Sequence, residues 1–253
     1  MKMKVREIFS KTALTKTAIP GFDYCLNPYV GCGHGCRYCY ASFMKRFTGH
    51  KEAWGDFVDV KVNVPQLLKK QLRHTKPGRV ALSTVTDPYQ PLDRKYQITR
   101  NSLEALLEKQ FPVNVLTRSP LCLRDIDLFK RFRNIQVGFS ITTHDEEIRK
   151  VFEPRASSIE SRIRALAALH QGNVKTYAFI GPMLPLDPKS LVALLDGVID
   201  EVLIDRMNYS NKVKALYRKN GLDAFLEDDY FYIAGRELKE GFEKRGIPVS
   251  MVF

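Results

Sequence analysis

The chain is poor in cysteine, has a single tryptophan and contains no long apolar run. Five cysteines in 253 residues exclude a disulfide-knit scaffold, which belongs to small secreted chains. No stretch of about 18 apolar residues occurs, which excludes a membrane-spanning helix. The segment from Met1 to Gly21 is basic and polar, with no apolar h-region and no small-residue cleavage site. No secretion signal is therefore expected, and the cytoplasm is the expected compartment. Internal repeats, low-complexity segments and interdomain linkers are also missing. Acidic residues are the minority, 28 against 40 Lys and Arg, for a net charge of +12. The positive charge is spread along the chain without a long basic block. A solvated lysine-rich surface and a nucleic-acid partner both account for it.

Against this background three of the cysteines are crowded into eight residues. Cys32, Cys36 and Cys39 form a C-x3-C-x2-C run, Gly31-Cys32-Gly33-His34-Gly35-Cys36-Arg37-Tyr38-Cys39-Tyr40. Three thiolates this close suit three corners of a cubic iron–sulfur cluster, since soft sulfur ligands favour such chemistry. A fourth cysteine is missing, so one iron would lack a protein ligand and stay open to a small molecule. A zinc site using His34 as fourth ligand is the alternative, but structural zinc draws on two separated ligand pairs and no second pair follows. The glycines mark a loop that wraps closely around a ligand. The run, with an aromatic directly before its last cysteine, resembles the signature of the radical S-adenosylmethionine (SAM) enzymes.

The rest of the chain alternates short apolar runs with amphipathic stretches. Strands are expected at 22–29, 79–83, 113–117, 135–141, 174–180 and 202–207, with helices between them. Capping boxes are read at Asn101–Glu104 and at Ser157–Glu160, the second opening a helix stopped by Gly172. Further helices are expected after Cys39 and at 123–132, 146–151 and 189–198. Between the first two units, 57–64 reads as a short strand and 65–75 as a helix begun by Pro65. Beyond residue 209 the pattern is helical until a last apolar strand, 248–253. Regular strand–helix alternation implies parallel βαβ units. The expected fold is α/β, a partial (β/α)6 TIM-like barrel with a helical C-terminal extension. Its expected parts are an N-terminal extension, 1–20, the barrel, 21–210, and the extension 211–253, packed on the same domain.

In such folds ligands sit at the C-terminal ends of the strands, and the polar strand ends narrow the resemblance. Asn27-Pro28-Tyr29 before Cys32, the Thr86–Pro91 run and Glu153-Pro-Arg-Ala156 resemble the spore photoproduct lyase-like branch of radical SAM proteins, over roughly residues 20–210. The resemblance implies a [4Fe–4S] cluster on Cys32, Cys36 and Cys39, with SAM chelating the open iron. Thr84, Thr86 and Asp87 are candidates to accept from the SAM amino group, although Asp87 equally suits the cap of a turn before Pro88. Arg118 is placed to neutralise the SAM carboxylate, and Ser140 to donate to that carboxylate or to the ribose. Arg155 is a candidate for SAM or substrate, or else half of a salt bridge with Glu153 at the barrel rim. Tyr38 is expected to pack against the adenine, and Tyr89 and Gln90 to line a substrate cleft. Asp205, Asn208 and Tyr209 close the set at the sixth strand. Cys25 and Cys122 read as packed small hydrophobes.

The resemblance also implies the reaction: a reduced cluster gives an electron to SAM, and a 5′-deoxyadenosyl radical forms and takes a hydrogen atom from a substrate. Val85 stands where the lyases carry the cysteine that returns that atom, and no catalytic residue is assigned. Nucleic acid or a nucleotide is one reading of the substrate. A protein, peptide or small metabolite is the second, and a non-catalytic iron–sulfur binding module is the third. No second cluster motif is present, so electrons are expected from a separate flavodoxin- or ferredoxin-like protein.

Overall fold

A computed structural model describes residues 3–253. The chain forms two compact units, Met1–Gly35 with Tyr40–Val137, and Cys36–Cys39 with Gly138–Phe253. The first contains β1 (Lys4–Ile8), β2 (Leu14–Lys16), β3 (Tyr24–Leu26), β4 (Tyr29–Val30), β5 (Phe57–Lys61), α1 (Val64–Gln71), β6 (Val80–Leu82), α2 (Asp93–Tyr96), α3 (Ile98–Glu108), β7 (Val113–Thr117) and α4 (Ile126–Phe129). Strand β8 (Ile135–Ser140) runs across the division. The second unit contains α5 (Glu146–Phe152), α6 (Ile159–Gln171), β9 (Lys175–Ile180), α7 (Pro188–Leu195), β10 (Glu201–Ile204), α8 (Lys214–Lys219), α9 (Asp228–Glu243) and β11 (Val249–Met251).

In the first unit the main strands follow the order β2-β3-β6-β7. Here β3, β6 and β7 are parallel, with Tyr24 opposite Val80 and Val80 opposite Val113, and β2 is antiparallel to β3. A smaller sheet, β1-β5-β4, joins Lys4 to Phe57 in parallel register. In the second unit β9, β10 and β11 are parallel. The short apolar runs became strands because parallel strands are covered on both faces and need no alternation. All six residues of β8 are buried, and each large apolar side chain so buried contributes about 1.5–3 kcal/mol. Gly138 lets the Tyr177 ring lie across β8: a Cβ there would fall 2.3 Å from the ring. Helix α9 presents Phe231, Ala234, Leu238 and Phe242 as one buried stripe. Among the described residues no helix is long and apolar enough to cross a membrane.

Several boundaries differ from expectation. The first strand is split into β3 and β4, and β4 turns away to pair with β5 in antiparallel register. Within the expected N-terminal extension, β1 and β2 both join sheets. The box at Asn101–Glu104 opens nothing, because α3 begins earlier, at Ile98, where the Asp93 carboxylate accepts the Thr99 N–H at 3.0 Å. In the second box Ser158, not Ser157, caps α6 by accepting from the Ser161 N–H. The helix expected at 123–132 is a 3-10 segment, Pro120–Asp125, followed by the single turn α4. After Cys39 the chain forms a 3-10 rather than an α-helix, Tyr40–Phe47.

Candidate active site

The cysteine loop leaves β4 through Gly31, whose φ is +86°. A Cβ at this position would fall 2.4 Å from the Phe57 carbonyl oxygen, so the approach of the two backbones requires glycine. The Gly31 carbonyl accepts from Thr86 Oγ1 at 2.6 Å and from Gln90 Nε2 at 3.4 Å, and Gln90 Oε1 accepts the Gly33 N–H at 3.0 Å. One glutamine side chain therefore clamps two points of the loop. Within the second unit the Arg37 N–H donates to the Phe152 carbonyl at 2.9 Å, and Lys212 Nζ to the Cys39 carbonyl at 3.1 Å. Cys32 and Cys36 are buried, Cys39 is half-buried, and none is in a disulfide. Among the described residues no three His, Cys, Asp or Glu side chains converge on a single ion. A cubic cluster asks for something else, each thiolate on its own iron, and three thiols on one glycine-rich loop supply that donor set.

The polar turn after β6 begins at Ser83, in the left-handed region at φ +70°. Asn27 holds it: its Oδ1 accepts the N–H groups of Thr84 at 2.8 Å and Val85 at 3.1 Å, and its Nδ2 donates to Thr84 Oγ1 at 3.2 Å. The Tyr40 hydroxyl donates to the Thr84 carbonyl. Asp87 is buried and accepts from Thr117 Oγ1 at 2.6 Å, from the Arg118 N–H at 2.8 Å and from the Tyr89 N–H at 2.9 Å. His34 Nε2 lies 3.3 Å from Asp87 Oδ2, an ion-pair approach without hydrogen-bond alignment. Burial pushes the Asp87 carboxyl up, but His34 and the donors from Thr117 and Arg118 outweigh it and hold the carboxyl below the usual carboxylate range. Thr84, Thr86, Asp87 and Arg118 thus gather around the ends of β6 and β7. Asp87 also caps the Asp-Pro turn.

Tyr89 and Gln90 require correction as substrate-lining residues. Both are 0% exposed. The Tyr89 hydroxyl donates to Asp125 at 2.9 Å, and the Gln90 amide is taken up by the cysteine loop. Each is part of the scaffold.

In the second unit the knot is Glu153. Its carboxylate accepts from the Tyr38 hydroxyl, from Thr142 Oγ1 at 3.0 Å and from Arg162 Nη2 at 2.5 Å. Arg162 is fully buried and also donates to the carbonyls of Ser140 at 2.9 Å and Ser157 at 3.0 Å. Glu153 thus forms a fully buried ion pair with Arg162, while Arg155, two residues on, is exposed. Sequence reasoning passed over Arg162, although a signal was there: it falls between Ile159 and Leu166 on the apolar stripe of α6. Tyr38 is buried with its hydroxyl on Glu153, which fixes the ring one residue before Cys39. The Ser140 hydroxyl is buried without a hydrogen-bond partner among the described residues, so it is ready to serve a bound group. After β10, Asn208 donates to both Asp205 oxygens at 3.0 Å, while burial raises the Asp205 carboxyl. Cys122 is fully buried and Cys25 lies 3.1 Å from Thr15 Oγ1.

Comparison with known proteins identifies the family and the fold. The model of the Radical SAM superfamily matches residues 26–197. An uncharacterized protein of Methanocaldococcus jannaschii is 40% identical over 184 residues, covering 73% of this chain and 69% of its own. The radical SAM Nalpha-GlyT isomerase of Pseudomonas phage M6 is 26% identical over 72% of this chain and 35% of its own. Among solved structures, spore photoproduct lyase complexed with dinucleoside spore photoproduct superposes with a TM-score of 0.73 at 15% identity, over 98% of this chain and 82% of that one. A mutant of that lyase, with bound AdoMet and the same dinucleoside, gives 0.71 at 14% identity, over 97% and 81%. The likeness establishes the fold: α/β, with a parallel sheet of the partial-barrel type and C-terminal helices.

Proposed function

The chain belongs to the radical SAM superfamily, and from that premise we propose that it removes a hydrogen atom from a nucleic acid or nucleotide. Enzymes of this family carry a [4Fe–4S] cluster and SAM, which together supply a 5′-deoxyadenosyl radical when an external reductant delivers an electron. A flavodoxin- or ferredoxin-like protein fits that need, because this chain has no second cluster motif. Cys32, Cys36 and Cys39 hold the cluster in this reading. Thr84 and Thr86 offer oxygens to the SAM amino group. Arg118 is the candidate to neutralise its carboxylate, and the Ser140 hydroxyl a candidate donor to the carboxylate or the ribose. Tyr38, fixed by Glu153, offers its ring to the adenine. The role of the protein is orientation and exclusion of water around a reactive species.

The observation that carries the nucleic-acid reading is the net charge of +12 on a chain of 253 residues, which attracts a polyanion. It is supported by the structurally similar spore photoproduct lyase, which is complexed with a dinucleoside. The test is anaerobic reconstitution with iron and sulfide, then SAM and dithionite, with 5′-deoxyadenosine quantified with and without single-stranded DNA or RNA. Release by the wild type and none by Cys36→Ala is expected, with nucleic acid raising the yield. A cluster-loaded wild type that releases none under any of these conditions contradicts the proposal.

A further inference from the structure

The 3-10 segment Tyr40–Phe47, directly after the last cysteine, exposes three aromatic rings within eight residues. Tyr40 is 42%, Phe43 41% and Phe47 67% exposed. Isolated exposed apolar residues need no explanation, but a contiguous group marks an interaction surface. A 3-10 helix has three residues per turn, so side chains three apart eclipse one another. Tyr40, Phe43 and Arg46 therefore stand in one row, about 6 Å apart along the axis. Phe47 flanks the end of the row.

The row is both aromatic and cationic. The Arg46 guanidinium lies over the Phe43 ring at 5.4 Å and over the Phe47 ring at 4.7 Å. Its long side chain is thus held against the rings, with its charge presented to solvent. The segment contains the half-buried Lys45 and the exposed Arg46 and no acidic residue; the exposed Lys51 follows, with Glu52, half-buried, after it. Tyr40 is tied through its hydroxyl to the Thr84 carbonyl. The row consequently begins at the turn after β6, which carries Thr84, Thr86 and Asp87.

We propose that Phe43, Arg46 and Phe47 form a platform for unpaired bases of a single-stranded nucleic acid, leading the strand toward the turn after β6. Rings stack on bases regardless of sequence, and an arginine among them meets the phosphates. A single-stranded nucleic acid offers a planar base and a phosphate at every step, whereas an acidic protein meets the rings only where it carries an aromatic side chain. The inference rests on the nucleic-acid reading above and gives it a docking surface.

The test is fluorescence anisotropy of a labelled single-stranded DNA and a labelled single-stranded RNA across a salt series, with the reconstituted protein and no reductant. Phe43→Leu/Phe47→Leu keeps apolar bulk and removes the rings. It should weaken binding on the order of tenfold to a hundredfold and leave the salt dependence unchanged. Arg46→Gln should weaken binding and reduce the log–log salt slope by about one. Comparison of the two oligonucleotides states which nucleic acid is preferred. Wild-type binding that both variants retain at full strength overturns the platform and leaves the nucleic-acid reading standing. Absence of salt-sensitive binding by the wild type overturns both.

Discussion

Asp87 and Glu153 are both buried carboxylates, one in each unit, and each takes hold of one residue of the cysteine loop. Asp87 meets His34, and Glu153 meets Tyr38. Their remaining partners are of different kinds. Asp87 is satisfied by neutral donors, the Thr117 hydroxyl and the N–H groups of Tyr89 and Arg118. Glu153 faces Arg162, a permanent cation that is itself fully buried. Removing the charge of Asp87 strands only dipoles and an imidazole. Removing the charge of Glu153 strands a guanidinium, and an uncompensated buried charge is costly. The loop is thus held by one interaction graded with pH and by one that permits little change.

The largest effect follows from breaking the second. Glu153→Gln should destabilise the protein by about 3–5 kcal/mol, read from denaturant unfolding at neutral pH. A loss below about 1 kcal/mol, the worth of an ordinary exposed pair, would show that Arg162 is satisfied without it. Asp87→Asn should lose about 1–3 kcal/mol, the range for leaving buried polar groups unsatisfied. Because the Asp87 carboxyl titrates below its ordinary range, its stabilisation is complete above the unfolded-state value. It disappears as the pH falls through the lower, folded value. The gap between wild type and Asp87→Asn should therefore be full at neutral pH and close below about pH 4. A gap that stays constant down to acid unfolding would contradict this assignment.

The same contrast explains what the sequence made legible. The strand from Val113 to Thr117 was readable to the residue, because its β-branched and apolar residues Val113, Val115, Leu116 and Thr117 follow one another with only Asn114 between them. Cysteine spacing is local and needed no tertiary information. Helix starts that depend on distant side chains were hidden: Asp93 begins α3, so the Asn101–Glu104 box lies unused inside it. Likewise the expected 123–132 helix is interrupted where Asp125 is drawn to Tyr89 at 2.9 Å, Arg100 at 2.9 Å and Arg124 at 2.8 Å. Tyr89 and Gln90 looked like substrate residues because their run is polar and sits at a strand end. Only the fold shows that Gln90 faces the cysteine loop. Strand β1 carries charged residues at Lys4, Arg6 and Glu7 and has no apolar run to announce it.

The most direct test of the account addresses the open iron that a three-cysteine loop implies. The anaerobically reconstituted, reduced protein should contain iron and sulfide in equal amounts and show an electron paramagnetic resonance signal of a [4Fe–4S] cluster. Adding SAM should change that signal, since one iron lacks a protein thiolate and accepts the cofactor. A protein that takes up zinc without sulfide, or a cluster whose signal SAM leaves unchanged, would contradict it.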